Sequence, residues 1–427
     1  MKRTIKYKVI PSIADIYLID TPCHDFWMSF FKTQKRIYLD HAAATPLHPH
    51  VLEKMLPFLT EDYGNPSAIH TEGQVARQAI AEARQTVATL LGVKSQSILF
   101  TGSGTESNNL AILGHLEYLY QTGRSYSDME IITTRIEHPS LLALVPVLEA
   151  RGVKVKFLPV DECGVVILAA LPELLNKKTA LIALAYANSE VGTIQPIKRL
   201  VRQVRQYERQ EGITITVHVD AAQAPLWLPC GLEQLGVDFL ALDAGKCRGP
   251  KGVGILAAKR PKQLAPILFG GGQERGKRPG TENVAGIVGA SEALKRAGEG
   301  YQVRAASVSK VRDEGLAWLT LRLPEAIVNG ARGVDRLPNN LNISLPGFDT
   351  EYAVVFLDAH GVAASTKSAC AGTGSGMSHV VVEMSHDVGR AKSTLRLTLG
   401  EETTKADIKH TLDLLVEYCA KMKTLTQ

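Results

Sequence analysis

Between residues 67 and 91 the apolar positions Ile69, Val75, Ala76, Ile80, Ala83, Val87 and Leu91 recur at helical spacing, and Gly92 supplies a natural C-terminal stop. Seven short apolar runs bounded by turn residues read instead as strands: 97–100, 130–134, 153–159, 180–186, 214–220, 238–243 and 252–258. Helical patterns such as HPSLLALVPVLEARG and IKRLVRQVRQYERQEG separate them. Strands alternating with helices over 50–295 predict an α/β domain with a mostly parallel sheet covered on both faces. In such a sheet, ligands gather at the C-terminal ends of the strands.

From about residue 296 the pattern changes. One helical stretch spans 293–323, followed by a strand at 339–345, a helix in EYAVVFLDAHG, a Ser/Gly-rich loop at 365–376, a strand in LRLTLG and a final helix over 404–423. This predicts a smaller α+β domain over 296–427, with 37–49 as an N-terminal segment packing against it. Residues 1–36 carry no readable period, and Met28 opens a second plausible start, so an N-terminal extension is expected there, either an appended segment or the product of an upstream start codon.

Composition narrows the function classes. The 427 residues are 45% hydrophobic and 21% charged, which excludes a disordered chain. The net charge of +5 is spread without a basic block, so no nucleic-acid partner is expected. Six cysteines lie scattered with no CxxC pair, against both a zinc site and a disulfide framework, and no metal is expected. A reducing, cytoplasmic setting follows. No apolar run approaches the roughly 20 residues of a membrane helix. The basic start is interrupted by Asp15, Asp20 and Asp25 and makes no signal peptide.

Three strand ends carry candidate chemistry. The first strand runs into Thr101-Gly102-Ser103-Gly104-Thr105-Glu106 at a helix start, which is either a phosphate cradle or a plain helix-entry turn. It is not a Walker loop, because no Lys-Ser/Thr follows Gly104. Asp220 closes the 214–220 strand, where a carboxylate either caps the next helix or pairs with a protonated heterocyclic nitrogen. Lys246 follows the 238–243 strand, a setting that favours Schiff-base chemistry, with Lys251 of the Gly-Pro-Lys-Gly turn as the competitor. Together, cradle, Asp and Lys describe a site for pyridoxal 5'-phosphate.

With these residues in place, a family resemblance emerges. YLDHAAATP (38–46), YGNPSAIHTEGQVAR (63–77), TGSGTESNN (101–109), EHPSLL (137–142), ANSEVGTIQPI (187–197), HVDAAQA (218–224), GPKGVG (249–254), RPGTENVAGIVG (278–289), NNLNISLPG (339–347), KSACAGTGSGMSHV (367–380) and LRLTLG (395–400) resemble cysteine desulfurases of the class V aminotransferase group, from about 37 to 420. The resemblance implies a homodimer of the PLP-dependent transferase fold (fold type I), which takes sulfur from L-cysteine and leaves L-alanine.

Carried over by position, Lys246 would hold the coenzyme covalently and Asp220 would pair with its ring nitrogen. His138 would stack on the ring and relay protons. Asn188 and Gln223 would bond the phenolic oxygen, Asn188 also facing the substrate. Thr105 and the Gly104 backbone would bind the phosphate, joined by Thr281 from the partner subunit. Arg396 would clamp the substrate carboxylate. Cys370, in its run of small residues, would attack the substrate sulfur and carry it as a persulfide to an acceptor or scaffold protein for iron–sulfur cluster assembly or tRNA thiolation. The alternatives are another class V reaction (selenocysteine lyase or aminotransferase) or a non-catalytic scaffold.

The chain departs from the family pattern at three positions of the site. Gly245 stands where the family has His, Asp243 where it has Ser, and Gly104 where it often has Ala. An ionised Asp243 would repel a phosphate, so it is expected to point away, to be protonated or to pair with a cation such as Arg248.

Overall fold

Each of the seven apolar runs forms a strand of one sheet. The computed structural model describes residues 36–366 and 376–425, the last by its backbone alone. The chain divides into residues 1–36 and 37–427. The extension expected over 1–36 lies outside the described residues apart from Arg36.

In chain order the strands are β1 (Ile37–Tyr38), β2 (Ile98–Thr101), β3 (Glu130–Thr133), β4 (Lys154–Phe157), β5 (Thr179–Ala185), β6 (Thr216–Asp220), β7 (Phe239–Asp243), β8 (Gly254–Ala258), β9 (Ile327–Val328), β10 (Asn340–Ser344), β11 (Val362–Ala363) and β12 (Thr394–Thr398). The large sheet has seven strands in the order β2-β8-β7-β6-β5-β3-β4. β4, β3, β5, β6 and β7 are parallel, and β8 runs against both β7 and β2. Six strands therefore end on the same edge. β6 is buried along its whole length, and β5 and β7 are buried except at their last residue, as a sheet covered on both faces requires. Two smaller sheets hold the rest: β12-β10-β9, antiparallel, and the parallel pair β1-β11.

The helices refine the expected boundaries. α1 (Pro49–Thr60) has no counterpart in the readings above. α2 (Thr71–Leu91) begins later than expected, because His70 caps it by accepting from the Gly73 N–H. Ile69 thus lies outside the helix, 87% exposed, and Val75 is exposed as well. The face that packs is Gly73, Ala76, Ile80, Ala83, Val87 and Leu91. Gly92 ends α2 in the left-handed region at φ 69°, which only glycine enters without cost. α3 (Gly104–Gln121) is capped by Ser103, whose side chain accepts from the Glu106 N–H. The stretch 293–323 is two helices: α4 (Val284–Gly298) and α5 (Tyr301–Arg322), separated where Gly300 turns left-handed at φ 62°. α6 (Thr350–Ala359) and α7 (Lys405–Leu425) follow.

The segment after β1 ties distant parts of the chain together. Asp40 bridges to Thr398 of β12. Thr45 receives the Arg248 N–H at its hydroxyl (2.8 Å) and donates that hydroxyl to the Gly245 carbonyl (2.9 Å). This segment is thereby strapped across the turn that follows β7. Among the described residues, no helix is long and apolar enough to cross a membrane.

Candidate active site

A cavity of about 170 Å³ opens at the shared edge of the large sheet. Five of the six strands that end there contribute, β4 being the exception. Gly104 and Thr105 open α3 after β2, and His138 follows β3. Asn188 and Ser189 follow β5, Asp220 ends β6, Asp243 ends β7, and Lys246 stands three residues on. Arg396 enters from β12, Gln223 from the turn after β6, and Ala42 and Ala43 from the strap. Lys246 donates its Nζ to the carbonyls of Ala42 (3.0 Å) and Ala43 (2.5 Å). Gln223 Nε2 donates to the same Ala42 carbonyl at 3.0 Å. Lys251, the rival lysine, instead donates to the Thr45 carbonyl at 2.6 Å.

Asp220 is 9% exposed and is held at both oxygens: Oδ1 accepts from the Ala222 N–H (2.9 Å) and Oδ2 from Asn108 Nδ2 (2.8 Å). The same Asn108 Nδ2 donates to Ser140 Oγ at 2.9 Å, which lies 2.9 Å from Nδ1 of His138. His138 Nδ1 also accepts from the Ser140 N–H at 3.1 Å. Burial lowers the pKa of His138, opposed by Asp220. The ring is therefore neutral near pH 7, and with Nδ1 an acceptor its proton sits on Nε2.

Behind His138, Glu137 is fully buried. Its carboxyl accepts from Thr134 Oγ1 (2.7 Å) and from the Ala185 N–H (2.8 Å). Burial, reinforced by the charge of Asp220, pushes its pKa up to about 8 against these hydrogen bonds. His379 Nε2 lies 3.1 Å from the Glu137 carbonyl.

Arg396 is 1% exposed, donates to Asp40 Oδ1 at 2.8 Å and to the Ser189 carbonyl at 3.2 Å, and keeps a buried Nε with no hydrogen-bond partner among the described residues. A guanidinium fixed on two sides presents its remaining donors at a set angle, the arrangement that recognises a carboxylate. Asn188 is spent largely on its own loop. Its Oδ1 accepts from the Glu190 and Val191 N–H groups and its Nδ2 donates to the Ile136 carbonyl, leaving one amide hydrogen.

Asp243 faces the cradle. Its Oδ2 accepts from the Gly104 N–H (3.0 Å) and its Oδ1 from the Gly245 N–H (2.8 Å). Arg248, the expected cation, is engaged by Glu401 and Glu402. Thr281 is exposed and is not among the residues lining the cavity of its own chain. Cys370 lies outside the described residues, as does Lys367. The flanks of that segment are anchored beside the cavity: Ser365 exchanges backbone hydrogen bonds with Arg396, and the Ser378 hydroxyl donates to Glu190. Cys247, beside Lys246, is buried and its thiol pKa is pushed up by that burial, so it packs and does not react. Among the described residues no cluster of His, Cys, Asp or Glu is arranged to hold a metal ion.

The sequence reading did not single out Asn108, Ser140, Asp40 or the Ala42 and Ala43 carbonyls. A signal existed for Asn108: a polar residue one turn into a helix that starts at a strand end points back toward the sheet edge.

This architecture and this cavity define a class-V aminotransferase, and the chain belongs to that family, whose model matches residues 37–411. Its relatives within the family are cysteine desulfurases. Cysteine desulfurase IscS of Dictyoglomus turgidum is 40% identical over 393 residues, 92% of this chain and 97% of that protein. The IscS of Methanosarcina thermophila is 36% identical, over 92% of this chain and 94% of its own length. Among solved structures, a NifS-like protein matches with a TM-score of 0.82 at 35% identity, covering 90% of this chain and 99% of its own. The structure of SspA in complex with cysteine matches with a TM-score of 0.73 at 30% identity, covering 86% and 100%.

Proposed function

We propose that this protein is a pyridoxal 5'-phosphate-dependent cysteine desulfurase that moves the sulfur of L-cysteine onto Cys370 and releases L-alanine. The observation that carries the reading is the convergence of Lys246, Asp220 and Arg396 on one cavity at the carboxyl edge of the sheet. An amine, a carboxylate held by two donors, and a helix start fit the carbonyl, ring nitrogen and phosphate of the coenzyme. When bound, the coenzyme supplies an electron sink for charge that develops at the substrate Cα.

The chain's own residues do the rest. Lys246 would anchor the coenzyme, and its amine could hold the proton of the substrate Cα. Asp220, oriented by Asn108 and the Ala222 N–H, keeps the ring nitrogen protonated. His138 would cover the ring and could offer the proton on its Nε2. Gln223, drawn toward Ala42, and Asn188 would hold the phenolic oxygen, and Thr105 with the start of α3 would hold the phosphate. Arg396 fixes the substrate carboxylate against Ser189 and Asp40. The Cys370 thiolate forms an S–S bond as the substrate's Cβ–S bond breaks, and the Cβ left behind takes up a proton to become alanine. The persulfide then serves an acceptor or scaffold protein in iron–sulfur cluster assembly or tRNA thiolation.

Exposed Tyr63, Ile69 and Phe269, at 76%, 87% and 87%, favour a homodimer that covers them and brings Thr281 of each chain to the other's phosphate. The described cysteines Cys163, Cys230, Cys247 and Cys419 are all free thiols, which favours the reducing cytoplasm.

The test is to supply purified protein with coenzyme, L-cysteine and a thiol reductant and to measure alanine and sulfide. Equal amounts of both are expected, with the rate lost in Cys370→Ala. No alanine from wild type, or full turnover in Cys370→Ala, would overturn the reading.

A further inference from the structure

The anion position at the start of α3 already holds a carboxylate. Asp243 Oδ2 accepts from the Gly104 N–H at 3.0 Å and Oδ1 from the Gly245 N–H at 2.8 Å. A side chain at either neighbour would crowd this carboxylate. A Cβ on Gly104 would sit 3.2 Å from Oδ2 and from Cβ of Asp243, and one on Gly245 would sit 3.1 Å from Oδ1. The three positions at which the sequence departs from the desulfurase pattern are therefore a single construction, a carboxylate seated between two glycines on the wall of the cavity.

A phosphate dianion brought to this cradle would meet a like charge. Arg248, on the turn after Asp243, is taken by Glu401, and Arg278, beside Gly102 of the cradle, by Glu106. The ionisable groups around Asp243 are Lys246 and Cys247 on its own turn, Lys251 after that turn, Glu106 in the first turn of α3, and His138, Asp220 and Arg396 across the cavity. Lys246 and Lys251 donate to strap carbonyls, while Cys247 and His138 are neutral near pH 7. One proton shared between carboxylate and phosphoryl oxygen removes the repulsion and replaces it with a charge-assisted hydrogen bond.

We propose that Asp243 determines the charge state in which the coenzyme is held: the phosphate binds as its monoanion, sharing one proton with the Asp243 carboxylate. The inference rests on the coenzyme reading above and concerns only how tightly, and at what pH, the coenzyme is taken up. A phosphomonoester loses its second proton near pH 6, so uptake by the wild type weakens above that value relative to a variant without the carboxylate.

The experiment is a coenzyme titration of hydroxylamine-stripped full-length protein, read by the visible absorbance of the bound coenzyme, at pH 6 and pH 8. Wild type, Asp243→Ser and Asp243→Asn are compared, the Asn variant preserving the shape of the side chain should Ser disturb the fold. Both variants are expected to bind pyridoxal phosphate at least tenfold more tightly than wild type at pH 8, and the advantage is expected to shrink severalfold at pH 6. Pyridoxal, which lacks the phosphate, is expected to bind all three proteins alike. An advantage that is absent, or equal at the two pH values, overturns the inference while leaving the coenzyme reading intact. If wild type and variants develop no visible band at any concentration, the coenzyme reading itself falls, and this inference with it.

Discussion

Asn108 stands between Asp220 and His218: its Nδ2 donates to Asp220 Oδ2 at 2.8 Å, and its Oδ1 accepts from His218 Nε2 at 2.9 Å. A carboxylate only accepts, so the amide must turn its nitrogen to Asp220 and its oxygen to His218. His218 is fully buried, and burial pushes its pKa down to about 3, so it stays neutral and keeps one N–H for Asn108. The carboxylate inside the cavity thus fixes which way the amide faces, and the histidine outside it supplies the matching donor.

Removing the amide should loosen Asp220 without removing it. Asn108→Ala is expected to lower kcat/KM about ten- to a hundredfold, the size of one lost buried hydrogen bond. Asn108→Asp, which sets a second carboxylate against Asp220, is expected to be worse than Ala. Steady-state kinetics with the visible spectrum of bound coenzyme distinguishes this from a folding defect. Equal activity in Asn108→Asp and wild type would refute it.

Arg396 is positioned by Asp40 and Ser189, so its fork geometry matters as much as its charge. Arg396→Lys is expected to raise KM for L-cysteine and cut kcat/KM by about ten- to a hundredfold, through the loss of a charge-assisted bidentate contact. Coenzyme content should stay at the wild-type level, which a spectrum at matched protein concentration checks.

Glu137 makes a prediction about pH. Its ordinary value is 4.5 and burial raises it to about 8 in the folded chain. Below the lower value both folded and unfolded states hold the proton, and stability does not change. Between the two, the unfolded chain releases the proton and the folded chain keeps it, so stability falls as pH rises. Glu137→Gln removes this dependence while keeping an acceptor for the Ala185 N–H. Its stability relative to wild type should grow from pH 5 to pH 8 by on the order of a few kcal/mol, measured as urea midpoints. A constant difference across that window would refute it.

Arg84 and Glu274 form a bidentate pair, with contacts of 2.8 Å and 2.6 Å, and Glu274 also accepts from the Phe100 N–H at 3.1 Å. Glu274 is 5% exposed and sits in a left-handed backbone conformation at φ 46°. Arg84→Ala leaves that carboxylate buried without its cation and should cost about 3–5 kcal/mol. Adding Glu274→Gln to Arg84→Ala should return part of the loss, read from the same denaturation curves.

The strands were legible because each is a short buried run between turn residues, and the chemistry was legible because it sits where those runs stop. Ile69 misled because the apolar spacing continues past the point where His70 caps α2, and Val75 because it lies on the exposed face of that helix. The break at Gly300 was hidden by helix-forming residues on both sides of it. The Asn108–Asp220 and Gly104–Asp243 hydrogen bonds could not be read, because each joins residues more than a hundred positions apart, and only the sheet order makes them neighbours.

The strap from Ile37 to Thr45 leaves the ribosome before the rest of the described fold. Yet it pairs with β11, bridges to Thr398 and lends its carbonyls to Lys246. Asp40, within it, holds an arginine that is translated more than three hundred codons later. The nascent protein accordingly has no finished pocket during synthesis. A polypeptide stalled before Thr394 lacks Arg396, so the lining of the cavity is complete only once β12 has been made.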